Sequence, residues 1–192
     1  MIEPERFIAR SSDRPAWLAA RAGGITATAV AKASTPQGFT EVLNELLSPS
    51  EQPDNDYMKF GRDNESWIAM WIKGQYGILP NDWLIASKDV PQFLSTPDGL
   101  SLDHKRIAEI KTGGTEPKSP PIGHRRQVSW QFRTTDAESA IYAFMLRTLV
   151  NGVYVPAWLE PKVWVIERDE TMIAQLELTA NLLLDEVERS VA

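Results

Sequence analysis

Apolar residues recur every three or four positions in two long segments of the chain, and this period predicts amphipathic helices. The first segment runs from Lys59 to Lys73, and the second begins at Asp169, whose side chain can cap a helix. The apolar stripe of the second segment consists of Met172, Ile173, Leu176, Ala180, Leu183, Leu184 and Val187. Capping residues and shorter apolar patterns predict four further helices, over residues 13–21, 26–32, 39–47 and 122–134.

Runs of β-branched, aliphatic and aromatic residues between turn-forming residues predict strands. These strands lie at residues 78–87, 92–96, 99–102, 106–111, 139–146 and 163–167. Stretches containing proline and serine or glycine, at 48–53 and 113–121, are typical of loops. The sum is a mixed α/β fold. Because no repeat or interdomain linker interrupts the pattern, we expect residues 1–192 to form a single domain.

The pair Pro97-Asp98 is followed after ten residues by Glu109-Ile110-Lys111, on two strands predicted to form a hairpin. Side chains alternate faces along a strand, so Glu109 and Lys111 should share one face while Ile110 points toward the core. The hairpin should bring Asp98 beside Glu109. Two carboxylates at close range repel each other unless a cation or a proton lies between them, and Mg²⁺ is the natural occupant.

Carboxylate oxygens hold Mg²⁺ with open positions for a phosphate oxygen and a water molecule, which suits the cleavage of phosphodiesters. Lys111, flanked by carboxylates, should stay charged, and this favours orientation and electrostatic stabilisation over a role as neutral base. The motif is short, however. A surface hairpin with a cross-strand ion pair would show the same residues.

Three further positions bear on such a site. Glu65 shares a helix side with Ile68 and Ile72, so it faces either the interior or a cleft, where a salt bridge or a metal would satisfy it. Arg21 precedes a glycine-rich turn and a helix start near Thr28, an arrangement suited to phosphate, although the residues alone favour ordinary helix capping with a solvated Arg21. Gln127 could hold a water or a phosphate, or satisfy buried backbone groups.

The amino-acid composition excludes several types of site and function. The chain has 192 residues, 43% of them hydrophobic, with no cysteine and two histidines, which excludes disulfides, thiolate metal sites and a histidine cage. No phosphate-binding glycine loop of the nucleotide-binding types is present. Neither a membrane span nor a secretion signal is predicted, so we expect a cytoplasmic protein. The net charge of −6 counts modestly against nucleic-acid binding, although Arg125, Arg126 and Arg133 form a local basic cluster.

Six short segments lie in order along nearly the whole chain: Trp17-Leu-Ala-Ala-Arg21 with Gly24-Ile25-Thr26-Ala27-Thr28, Gly61-Arg-Asp-Asn-Glu65, Ser95-Thr-Pro-Asp98-Gly-Leu100, Glu109-Ile-Lys111, Arg126-Gln127-Val128 and Val165-Ile-Glu-Arg-Asp-Glu170. In this order they resemble motifs of the phage lambda-type exonucleases, also called YqaJ-like viral recombinases, within the PD-(D/E)XK nuclease superfamily. The resemblance implies that superfamily's core, a central mixed β-sheet flanked by helices.

The resemblance also implies roles for individual residues. Asp98, Glu109 and the carbonyl of Ile110 would bind Mg²⁺, with Mn²⁺ as a substitute, and Glu65 would serve a second metal or its water shell. Lys111 and Gln127 would handle the nucleophile. Arg21 and Thr28 would hold a terminal 5′ phosphate.

The implied activity is degradation of one strand of duplex DNA from its 5′ end, with release of 5′-mononucleotides. A 3′ single-stranded overhang would remain for a single-strand annealing protein in recombination. The family's best-known member is a ring-shaped homotrimer, and a phage-encoded member would work in the host cytoplasm. Ser129 departs from the family pattern, where a second glutamine is common, and this bears on assembly and processivity more than on cleavage.

Two other functions fit parts of the sequence. An endonuclease of restriction or junction-resolving type would share the acidic residues and the lysine, but would need no site for a 5′ end. A noncatalytic DNA-binding or assembly protein would need neither.

Overall fold

The computed structural model describes residues 1–49 and 55–191 and confirms the α/β class. Residues 50–53 of the predicted loop at 48–53 lie outside the described residues. The helices described are α1 Arg14–Arg21, α2 Ala27–Ala33, α3 Pro36–Leu47, α4 Asp56–Tyr76, α5 Ile122–Thr135 and α6 Glu170–Val191. The strands described are β1 Phe7–Arg10, β2 Ile25–Thr26, β3 Ile78–Pro80, β4 Trp83–Ala86, β5 Phe93–Ser95, β6 Gly99–Ser101, β7 Arg106–Gly113, β8 Ser139–Val150, β9 Val153–Pro156 and β10 Lys162–Glu167.

The larger sheet has the strand order β10-β8-β7-β6-β3, with β9 paired to the far part of β8. It is mixed, because β7 and β8 run parallel while the other pairs are antiparallel. Helix α4 packs against β3 and β7 and contributes Phe60, Ile68 and Ile72 to the core on that side. On the opposite side, Val128 and Phe132 of α5 are fully buried in a second cluster.

A smaller sheet, with the order β1-β4-β5-β2, lies next to the larger one. Helices α1 and α2 flank its strand β2, and Trp130 of α5 links the sheet to the rest of the molecule by donating its indole N–H to the carbonyl of Leu94 at 3.2 Å. The predicted strand at 78–87 is therefore wrong as a single element. It divides into β3 and β4, which belong to different sheets.

The division at 78–87 has a local cause in Asn81. Its side-chain Nδ2 donates to the carbonyls of Trp83 and Pro97, at 3.2 and 2.8 Å. An asparagine that bonds to nearby backbone in this way competes with a regular strand and forms a turn. The turn at Asn81 lets the chain leave the large sheet and enter the small one, and it ties that crossing to the segment preceding Asp98.

Candidate active site

Asp98 and Glu109 lie on neighbouring strands of the hairpin formed by β6 and β7. The register pairs Gly99 with Ala108, so Asp98, one residue before β6, stands opposite Glu109. The backbone N–H of Asp98 donates to the Ala108 carbonyl at 3.0 Å, and the backbone N–H of Ile110 donates to Asp98 Oδ2 at 2.6 Å. The hairpin itself thus fixes both the backbone and the carboxylate of Asp98.

Glu109 is the most enclosed charged group of the site, with its side chain 1% exposed. Three donors surround its carboxylate. Lys111 Nζ and Gln127 Nε2 lie 2.5 Å from Oε1, and Gln131 Nε2 lies 2.5 Å from Oε2. A buried carboxylate needs such partners, because its desolvation is otherwise costly.

Strand alternation and helix spacing explain how these donors meet. Glu109 and Lys111 are two residues apart on β7 and point to the same side, while Ile110 between them is buried in the core. Gln127 and Gln131 are four residues apart on α5, so both amides project from one face of that helix. The face of α5 and the face of β7 meet at Glu109.

The acidic groups perturb one another. Desolvation, and next the charge of Glu109, raise the pKa of Asp98 well above its usual value. Burial and the same charge raise the pKa of Glu65. For Lys111, burial alone would lower the pKa, but Glu109 and Asp98 outweigh it and raise the pKa above its usual value. Lys111 is therefore held as a cation, and the ionised forms of Asp98 and Glu65 are disfavoured unless a further positive charge joins the site.

A cavity of about 250 Å³ adjoins the carboxylates. Asp98 and Glu65 line it on one side, and Arg21, Thr26 and Thr28 line it on another. The guanidinium of Arg21 lies 4.0 Å over the ring of Trp17, and burial, followed by the charge of Arg14, lowers the pKa of Arg21. Arg21 is thus placed by stacking at the wall of the cavity rather than free in solvent, while Thr26 caps α2 by accepting from the backbone N–H of Ala29 at 3.4 Å.

Three residues that line this cavity each have a buried polar atom with no hydrogen-bond partner among the described residues: Trp17 Nε1, Thr96 Oγ1 and Gln131 Oε1. Buried polar groups are nearly always paired, so a group of such atoms around one space indicates that a polar ligand completes them. Sequence reasoning assigned no role to any of the three. The only advance signal was the spacing of Gln127 and Gln131, which predicts a shared helix face.

Ser129, which stands where the resemblance leads one to expect a second glutamine, does not reach Glu109. It is buried, and its hydroxyl lies 3.2 Å from the sulfur of Met172. The second amide at Glu109 comes instead from Gln131, one turn of α5 beyond Gln127. Arg133, expected in a basic cluster, is held by Asp89 and Glu177 and is not available as part of a surface track.

Within residues 1–49 and 55–191, no three His, Cys, Asp or Glu side chains form a group that could hold a metal ion. Mg²⁺ does not require one, since it commonly binds through one or two carboxylates, keeps several waters and completes its shell with substrate phosphate. Two hard oxygen donors, Asp98 and Glu109, face each other with mutual repulsion that a divalent cation would relieve. The chemistry of these donors fits Mg²⁺.

No family model and no curated protein matches the sequence. Solved structures do match. The alkaline exonuclease LHK-Exo from Laribacter hongkongensis, also solved in complex with dAMP, superposes with a TM-score of 0.74 at 24% identity, over 91% of this chain and 93% of that chain. A phage-related exonuclease from Haemophilus somnus 129PT gives a TM-score of 0.68 at 12% identity, over 88% of this chain and 96% of that one.

The chain has the fold of these exonucleases. A more distant likeness is to the SOX protein of a SOX–DNA complex, with a TM-score of 0.60 at 10% identity, over 94% of this chain and 69% of that chain. The fold implied by the resemblance in sequence is confirmed, and four residues from the motifs quoted for it, Arg21, Glu65, Asp98 and Gln127, border the same cavity.

Proposed function

We propose that this protein is a Mg²⁺-dependent 5′→3′ exonuclease that acts on the ends of double-stranded DNA. It would release 5′-mononucleotides and leave a 3′ single-stranded overhang for strand annealing. The observation that carries the proposal is the cavity in which the Asp98 and Glu65 carboxylates adjoin Arg21 and three unpaired buried polar atoms. One part of this space suits the bond to be cut and the other suits a terminal phosphate.

The dimensions of the cavity support cleavage at an end. A space of about 250 Å³ can take a phosphate with part of its nucleotide, but not a duplex. One strand must therefore separate from its complement before its end enters. Arg21 would pair with the terminal phosphate, since a guanidinium presents donors to two phosphate oxygens at once. Thr28, on the first turn of α2, would add a hydroxyl, and the indole N–H of Trp17 would find an acceptor.

At the carboxylates, Asp98, Glu109 and the main-chain carbonyl of Ile110 would hold the metal, with Glu65 toward its water shell. The bound ion supplies an activated water and neutralises charge at the phosphate. Lys111 remains protonated and stabilises negative charge developing on the phosphate oxygens. Gln127 donates to Glu109, and its amide would orient the attacking water.

The family resemblance supports two further parts of the proposal, a ring-shaped homotrimer and an annealing protein as partner. A ring would retain DNA by enclosure, which suits a chain with a net charge of −6 better than attraction to a basic surface would. For the described residues, no helix is long and apolar enough to cross a membrane.

Arg21 provides the sharpest test of end recognition. Rates on linear duplexes that carry either a 5′ phosphate or a 5′ hydroxyl are compared for the wild type and Arg21→Ala. The wild type should prefer the phosphate, and loss of a charged hydrogen bond should reduce that preference about 10-fold or more. Arg14→Ala is the matched control, because Arg14 also stacks on Trp17, at 4.8 Å, but does not line the cavity.

An unchanged preference in Arg21→Ala would contradict the terminal-phosphate site. Closed-circular duplex, incubated in parallel, separates the exonuclease from an endonuclease with the same carboxylates and lysine. Cutting of the circle would favour the endonuclease.

A further inference from the structure

A second cavity, of about 410 Å³, adjoins the same two carboxylates. Asp98 and Glu65 line both cavities. Arg10 and Arg62 also line the second cavity, together with Ser66, Asn81 and Asp82. The acidic centre therefore adjoins two arginine-bearing spaces, of which the proposed function uses only the one at Arg21.

Neighbouring residues fix the position of the Arg10 guanidinium but pair only weakly with its charge. It ends β1 opposite Trp83 in the register with β4, and its guanidinium lies 4.6 Å from the centre of the Trp83 ring. Its contact with Asp82 is long, 3.7 Å from Nη1 to Oδ1, and its side chain is 55% exposed. An exposed ion pair at this distance contributes little, so the guanidinium retains donors for an anion.

Arg62 adds a second positive charge from a different element. It lies three residues before Glu65 on α4, so the two side chains share a face of the helix. Two arginines on β1 and α4 thus line one cavity together with the acidic centre. Arginines and polar side chains are the residue types that typically contact a nucleic-acid backbone.

We propose that this second cavity binds the DNA phosphodiester immediately 3′ of the scissile bond, on the strand being degraded. The inference rests on the proposed function. If the terminal phosphate lies at Arg21 and the scissile phosphate lies at Asp98, the strand must continue past the carboxylates on the side away from Arg21. The cavity at Arg10 and Arg62 is the second arginine-bearing space that adjoins these carboxylates. It would fix the position of the next nucleotide and hold the strand in register after each cut.

The test uses linear duplexes in which the second phosphodiester from the 5′ end is replaced by a neutral methylphosphonate. Equilibrium binding is measured by fluorescence anisotropy with Mg²⁺, in a Lys111→Ala background that blocks cutting. The neutral linkage should weaken binding about 10-fold, the usual worth of one charged hydrogen bond. When Arg10→Ala or Arg62→Ala is combined with Lys111→Ala, the penalty of the neutral linkage should shrink to about 2-fold or less. The reason is that the arginine that pairs with the phosphate is already absent.

Three controls make the outcome specific. A methylphosphonate far from the end should cost the same in all variants. Arg189→Ala, which removes an exposed charge from the last turn of α6, should leave the full penalty of the neutral linkage. Arg21→Ala should also leave it intact, since Arg21 serves the other cavity. Circular dichroism melting shows that each variant is folded, and Arg62→Ala tests the cavity independently of Arg10.

An equal penalty with and without Arg10 and Arg62, or no penalty at all, would overturn the proposal. Failure of the proposed function would look different. In that case the 5′ phosphate would not affect turnover, or the Lys111→Ala protein would still degrade the duplex, whatever the behaviour of the neutral linkage.

Discussion

Asp98 shows how the site is assembled at a cost to stability. Its pKa is raised by desolvation and by the charge of Glu109, so its ionised form is less favourable in the folded protein than in the unfolded chain. The stabilising effect of the protonated form is fully present below the unfolded pKa of an aspartate, about 3.9. This stabilising effect is lost as the pH rises from about 3.9 through the raised pKa of Asp98 in the folded protein, and it is absent at any higher pH.

Asp98→Asn should therefore melt at a higher temperature than the wild type in metal-free buffer at pH 8. The asparagine can still accept the backbone N–H of Ile110 through its side-chain oxygen, while the buried charge is gone. The difference should narrow as the pH falls toward about 4. Mg²⁺ should raise the melting temperature of the wild type but not of the variant. A variant less stable than the wild type at pH 8, or still stabilised by Mg²⁺, would refute this account.

Gln131 is expected to position Glu109 rather than to touch the substrate bond. The residue is 1% exposed, and because the Nε2 atom donates to the Glu109 carboxylate, Oε1 points elsewhere and has no partner among the described residues. Gln131→Leu keeps most of the volume and removes the bond. We expect kcat to fall about 10-fold or more and the Mg²⁺ concentration for half-maximal rate to rise, with little change in the KM for DNA.

Gln131→Glu provides a second test, since a second carboxylate beside Glu109 should lower the melting temperature of the metal-free protein, and more at high pH than at low pH. Calorimetric titration with Mg²⁺ in the absence of DNA provides a readout other than turnover. Equal metal affinity in the wild type and Gln131→Leu would mean that Gln131 only fills space.

At the scale of elements, the strand β6 must approach both of its neighbours closely to place Asp98. A Cβ added at Gly99 would lie 2.9 Å from Cγ2 of Ile78 and 3.0 Å from Cβ of Ala108, which sit on the strands either side. Gly99→Ala should push these strands apart, cost about 1–3 kcal/mol in unfolding free energy and lower activity by displacing Asp98.

Gly74→Ala is the matched control for Gly99→Ala. Gly74 lies within α4, where an added Cβ meets nothing within 4 Å. Alanine should stabilise that helix by up to about 1 kcal/mol and leave turnover unchanged. Urea unfolding and turnover of both variants test the pair, and an active, equally stable Gly99→Ala protein would show that β6 tolerates the separation.

The elements also show which parts of the fold can be predicted from the local sequence pattern. Helices α4 and α6 were predicted within a few residues, because a long amphipathic stripe is a strong signal. The hairpin of β6 and β7 is predicted from two short apolar runs joined by the polar segment 103–105, and strand alternation then places Glu109 and Lys111 on one face. Helix α4 ends at Tyr76, three residues beyond the predicted end at Lys73. Gly77 ends the helix by adopting a left-handed conformation with φ of 69°.

The missed elements depend on partners that are distant in sequence. Strands β1 and β2 have only four and two residues. They form because β1 pairs with β4 and β2 pairs with β5. Strand β9 is an exception, because it follows the local turn at Asn151-Gly152, and this dipeptide is a hairpin signal within the sequence itself. The roles of Trp17, Thr96 and Gln131 likewise emerge only when α1, the segment before β6 and α5 meet around one cavity.

At the scale of the whole molecule, charge is distributed to serve a narrow cleft rather than a broad basic surface. Arg133 is neutralised by Asp89 and Glu177, whereas Arg21, Arg10 and Arg62 line the two cavities at the carboxylates. Under the proposed function, a chain with a net charge of −6 would hold a single DNA strand locally while gaining little from long-range attraction.

The most direct test of the central claim follows both ends of one strand in a linear duplex with Mg²⁺. The 5′-terminal label should be released first, as a mononucleotide, while the 3′-terminal label stays in a long single strand. Lys111→Ala should slow release about 100-fold or more, and Lys162→Ala, which removes an exposed lysine paired with Glu116, should not. Earlier loss of the 3′ label, or release by Lys111→Ala at the wild-type rate, would contradict the account.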